Sequence, residues 1–205
     1  MTNGNKFIPI QLKKKIAHKK MKKDKELLKK IIPTISRPDG KDREWFNNDE
    51  ILSKLNKEEL KIVEHGLIKM LKTDNDILIP QTLIKLKSLD SVPTLLKKLE
   101  SIKDPFEKIT WASFINEIKG GDLEMENIAF EQLQKLEFIY EVQGPIFNDL
   151  IKFKSERINN LIKGFVEHKY FLVAHHAKLV LNFNGYADSY EMDSSPKKWL
   201  EFWKK

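Results

Sequence analysis

Apolar residues recur every third or fourth position over most of this chain, the spacing that places them along one face of an α-helix. In residues 7–32, Leu12/Ile16 and Ala17/Met21/Leu28/Ile32 fall at this spacing between lysine runs, which predicts an amphipathic helix ending near Pro33. From Trp45 onward helix follows helix. Asn48 or Asp49 caps a short one through Leu55, and Asn56 caps Lys57–Lys72, whose stripe is Leu60, Val63, Leu67, Met70 and Leu71. Ile77–Leu89 follows, then a helix to Ile102 entered at Asp90 or Ser91 with Pro93 in its first turn. Asp104-Pro105 opens Phe106–Ile118, Gly120-Gly121 closes it, and Asp122 starts a helix to about Phe138. Further helices are expected over 138–153, broken near Gly144-Pro145, and over Ser155–Phe165, Tyr170–Phe183 and from Pro196 to Lys205. No stretch sustains period-2 alternation, so the expected fold class is all-α.

Two helical pairs, 77–89/92–102 and 104–118/122–137, read as copies of one unit of about 31 residues. Thr82-Leu83-Ile84 aligns with Ser113-Phe114-Ile115, and Lys87…Asp90 with Lys119…Asp122 after one inserted residue. The turn string Leu89-Asp90-Ser91-Val92-Pro93, followed by Leu95-Leu96 and Leu99, resembles the second-helix entry of bacterial HEAT-type repeats. The resemblance is clear over 77–102 and looser to 138. It implies a HEAT-like α-α superhelix of stacked antiparallel hairpins, with the second helices lining a concave face. On that reading Lys97, Lys98, Ser101, Asn127, Glu131, Gln134 and Lys135 line the binding face, and Trp111 is a candidate aromatic contact.

Charge divides the chain more sharply than composition does. The net charge is +7, yet residues 1–32 alone carry eleven lysines against Asp24 and Glu26. The remainder is therefore close to neutral, and the sequence separates into a basic amphipathic arm (1–32), a Pro/Gly-containing linker (33–44) and a helical-repeat domain (45–205) closed by a C-terminal capping helix. Lys13, Lys14, Lys15, Lys19 and Lys20 are candidate polyanion contacts. Only Arg37, Arg43 and Arg157 supply the planar fork that reads guanine or grips phosphate in two places. The chain has no cysteine, which removes disulfides, thiolate metal sites and a cysteine nucleophile. The N-terminal stretch lacks a secretory apolar core, and Phe171–Phe183 is too short and too polar to span a bilayer, so a cytoplasmic protein is expected.

Catalytic patterns are absent from the sequence. His175 and His176 are adjacent and point about 100° apart on a helix, which does not suit a shared metal. The wheel places His176 toward the core with Leu172, Leu179 and Phe183, and His175 on the polar stripe with Lys178 and Asn182. Glu124, Glu126, Glu131, Glu137 and Glu141 read as a solvated acidic face. No phosphate loop, dinucleotide fingerprint, nucleophile elbow or zinc-protease helix occurs, and no cofactor or metal is expected. Trp199, Leu200, Phe202 and Trp203 gather apolar bulk that must dock, either as a cap or on a partner.

The resulting expectation is a non-enzymatic, macromolecule-binding helical module with a protein partner, of the immunity-like or scaffold kind. The alternative is a nucleic-acid-binding protein, which in size and helical build resembles the HEAT-fold alkylpurine DNA glycosylases. In that family an aromatic and an acidic group address the damaged nucleotide, and the basic arm here would add phosphate contacts. Adsorption of the arm to an anionic membrane is a third reading, weakened by its ragged apolar face. The oligomeric state stays open.

Overall fold

The computed structural model describes residues 9–32, 47–136 and 143–185. The expected linker, Glu137, Glu141 and the C-terminal segment from 186 onward lie outside them. The described residues form α-helices with one 3-10 turn and no strand, so the protein is all-α. It divides into two compact units, 1–94 and 95–205, with the division falling inside a helix.

In the first unit α1 (Ile10–Ile31) packs on α3 (Lys57–Leu71), and α3 packs on α4 (Leu78–Lys85). The contact with α3 is made by one side of α1: Ile31 is buried and Leu27 and Leu28 are half-buried. Opposite Leu28 the partner is Gly66, where an added Cβ would sit 2.6 Å from Leu28 Cδ1. A glycine in mid-helix costs about 1 kcal/mol relative to alanine, and here its bare backbone admits Leu28. Asn56 starts α3 with a full capping box, accepting from the Glu58 and Glu59 amides while the Glu59 carboxylate takes the Asn56 amide. Val63, Leu67 and Leu71 are buried. The short α2 (Asp49–Ser53) is pinned to α4 by Asn48, whose amide donates to Thr82 Oγ1 at 2.7 Å, and by Lys85, whose ammonium reaches Asn48 Oδ1 and Asp49 Oδ1.

The second unit is built around α6 (Pro105–Lys119), buried at eight of its fifteen positions. Asp104 caps its start by accepting from the Glu107 amide, with Pro105 at the position where a missing N–H is harmless. Gly120 (φ 72°) and Gly121 (φ 124°) then reverse the chain in backbone regions that side chains resist. Asp122 caps α7 (Leu123–Leu133), which packs closely back on α6. On another side α6 meets α8 (Gln143–Ile151), which in turn supports α9 (Glu156–Lys163) and α10 (Phe171–Phe183). Phe114, Ile115, Met125, Phe147, Leu150, Ile158 and Val173 are among its fully buried residues. The helix starts expected at Asn56, Asp104, Asp122 and Ser155 are all found. The helix expected from Asp90 or Ser91 begins differently, as a 3-10 turn (Leu89–Ser91) running into α5 (Val92–Ser101).

Candidate functional site

In α7 the apolar residues Met125, Ala129 and Leu133 turn inward with Gln132. The helical period then sends Leu123, Asn127, Phe130, Glu131 and Gln134 to the opposite side. Asn127, Glu131 and Gln134 are exposed, and Leu123 is exposed by 70%. Lys135 is also exposed, just past the helix end. Four of the expected binding residues therefore lie together on and beside one helix face.

A fifth participant comes from α9. Arg157 stacks its guanidinium 3.5 Å from the Phe130 ring centroid and donates through Nη1 to Asn127 Oδ1 at 2.7 Å. Such a stack is worth about 0.5–1 kcal/mol at an exposed site, and its larger effect is to hold a planar fork in one orientation. Ser155 fixes the same junction: its hydroxyl donates to Glu126 Oε1 at 2.7 Å and accepts from the Ile158 amide. The sequence marked Arg157 only as one of three arginines. Nothing in linear spacing pairs it with Asn127, thirty positions earlier.

The α5 residues form a separate set. Lys97 and Ser101 are exposed, and Ser101 Oγ donates to the Lys98 carbonyl at 2.7 Å. The Lys98 ammonium lies 5.2 Å from the Trp111 ring centroid. Trp111 itself is 5% exposed and packs edge-on against Phe114, so its ring belongs to the interior and is covered on the outside by Lys98.

Between α6 and α8 runs a polar seam. Thr110 Oγ1 donates to Asp149 Oδ2 at 2.6 Å, and Lys152 Nζ reaches Asp149 Oδ1 at 2.9 Å and Glu117 Oε2 at 3.8 Å. Burial pushes the Glu117 carboxyl above its ordinary value, against the pull of Lys152. Asn116 joins this seam to the α6–α7 turn, donating to the Lys152 carbonyl and accepting from the Asp122 amide. One ammonium thus serves two carboxylates, with each polar end answered inside the fold. This is the arrangement of a clamp.

His175 and His176 are both half-buried, their rings 5.8 Å apart and edge-on. His175 stacks on Phe171, and burial lowers the His176 pKa, with a smaller contribution from His175. Among the described residues no group of three or more His, Asp or Glu side chains could hold a metal ion. No helix among them is long and apolar enough to cross a membrane.

The candidate polyanion contacts lie on α1. Lys14, Lys15, Lys19 and Lys20 are exposed, and Lys13 belongs to the same helix. Comparison with protein-family models, with curated proteins and with solved structures gave no match. What fold and surface define together is an all-α protein carrying one mixed-charge helix face and one lysine-rich helix.

Proposed function

We propose that the protein is a non-enzymatic binding module that docks a protein partner on the outer face of α7. The observation that carries this reading is the Arg157–Phe130–Asn127 junction set beside Glu131, Gln134, Lys135 and the exposed Leu123. Protein interfaces favour an arginine or aromatic anchor among polar groups of both signs. A phosphate backbone would be repelled by Glu131. Pre-stacking Arg157 also lowers the ordering cost that a partner would otherwise meet on binding.

The α6–α7 hairpin closed by Gly120-Gly121, with α8 on its flank, supports a HEAT-like stacking of helical pairs. In that arrangement α7 plays the second helix, the one that faces ligand. An immunity-like or scaffold role fits such a module, since the work is done by surface complementarity.

The test is quantitative co-purification with the full chain, a face variant (Asn127→Ala, Glu131→Ala, Arg157→Gln) and a control (Lys103→Ala, Lys163→Ala). A partner protein should be retained by the native chain and the control and depleted at least tenfold by the face variant, a change of about 1.4 kcal/mol. Full retention by the face variant, or no protein recovered with the native chain, would overturn the reading.

A further inference from the structure

α1 carries ten lysines in 22 residues, and the way the helix is seated sorts them. Leu27, Leu28, Ile31 and the half-buried Asp24 mark the side turned to α3. Lys14, Lys15, His18, Lys22, Lys25 and Lys29 fall within about 100° of one another on the far side. All six are exposed, and the nearest carboxylate, Glu26, lies just outside that arc. From Lys14 to Lys29 the arc runs about 22 Å at 1.5 Å per residue. Lys23 turns instead toward α3, where it meets Glu59 at 3.4 Å.

We infer that this ridge binds the phosphate backbone of a nucleic-acid duplex, without reading its sequence. Three features of the helix select that occupant. The ridge is single-signed and follows one continuous helix, and a duplex presents about one negative charge per 1.7 Å of its axis. It contains no arginine, so the bidentate contact that discriminates guanine is missing while the point charges that grip phosphate remain. It also contains no Phe, Tyr or Trp, the stacking platforms on which single strands depend.

An anionic membrane is disfavoured by the same seating. A surface helix needs a free apolar face to sink into the acyl boundary, and here Leu28 lies on Gly66 of α3 and Ile31 is buried, which leaves Met21 as the exposed large apolar side chain among those described on α1. The inference does not rest on the protein-binding reading, because none of its residues lies on α7.

The test measures binding of the full chain to a labelled duplex DNA by fluorescence anisotropy, with a labelled single strand and vesicles of equal parts phosphatidylcholine and phosphatidylserine as the other arms. Five ridge lysines give an expected log–log salt slope of about −4.5, hence about a 500-fold loss of affinity between 50 and 200 mM salt. Changing Lys15, Lys22, Lys25 and Lys29 to Gln keeps helix propensity and leaves Lys14 alone on the ridge, so the slope should flatten to about −1, with about a hundredfold weaker binding at low salt. Changing Lys57, Lys72, Lys103 and Lys163 to Gln removes the same charge elsewhere and should cost no more than about twofold, apart from a small general field effect. The inference is overturned by absence of duplex binding at low salt or by a ridge variant that binds like the native chain. It is overturned equally by vesicles or single strands binding as well as the duplex does.

Discussion

α1 and α7 both present polar faces to solvent, and they do so by opposite means. On α1 the ridge lysines are exposed, each ammonium at the end of a flexible four-carbon stem. On α7 the face is tied from outside: Arg157 arrives from α9, lies on Phe130 and holds Asn127, while Ser155 holds Glu126. A face of one sign and loose geometry attracts any dense counter-charge but cannot judge shape. A face of mixed sign and fixed geometry can discriminate, because a wrong partner leaves its groups unpaired. The difference in tethering therefore separates a surface suited to non-specific affinity from one suited to specific recognition.

The largest expected effect comes from hollowing the core of the second unit. Phe114 is fully buried in α6, edge-on to Trp111 and beneath the Lys152 ammonium. Phe114→Ala should cost about 3–5 kcal/mol in urea-induced unfolding of the second unit. Partner retention through α7 should fall with it, while duplex binding through α1 persists. Loss of both together would show that the two surfaces do not depend on separate cores.

Much of this scaffold was legible in the sequence, since its signals are local. Asn56 followed by Glu59, Asp104-Pro105 and the Gly120-Gly121-Asp122 string each specify a helix end through groups within four residues, and each is found there. The start of α5 was harder, because Leu89, Asp90 and Ser91 form a 3-10 turn that takes up the polar residues expected to cap the helix. The site was only half legible. Periodicity alone places Asn127, Glu131 and Gln134 on one side of α7. The arginine that orders them comes from a different helix, and no linear signal carries a contact across thirty positions. Trp111 illustrates the reverse case: beside Thr110 and Ser113 it reads in sequence either as core or as an aromatic contact, with core the better reading, and the whole of 111–116 is buried. All-round burial erases the amphipathic pattern from which a face is read.

A smaller change tests whether the seating of α1 keeps its apolar side from membranes. Gly66→Leu places a good helix former where Leu28 already lies 2.6 Å from a would-be Cβ. The propensity gain of about 0.8 kcal/mol should be outweighed by overpacking, for a net loss of about 1–2 kcal/mol on chemical unfolding. Displacing α1 should also free Leu27, Leu28 and Ile31, so vesicle capture should rise relative to the native chain. Unchanged stability and unchanged vesicle capture would mean that the contact with α3 does not restrain the helix.

The smallest effect is a pH dependence confined to the α6–α8 seam. Burial holds the Glu117 carboxyl above its ordinary value of 4.5, so just above that value the folded chain retains a proton that the unfolded chain has released. With more protons bound in the folded state, this group makes stability fall as pH rises from 4.5 through its folded value, and it adds no slope beyond. Glu117→Gln removes the ionisable group while keeping a polar side chain near Lys152, whose closer partner is Asp149 at 2.9 Å. The variant minus native difference in unfolding free energy should therefore increase across that window and then level off, whatever the other carboxylates contribute to both. A difference that stays flat would mean that Lys152 balances burial at this position, and one that decreases would mean that it outweighs burial. Binding through the α1 ridge, which shares no group with the seam, should show no matching change.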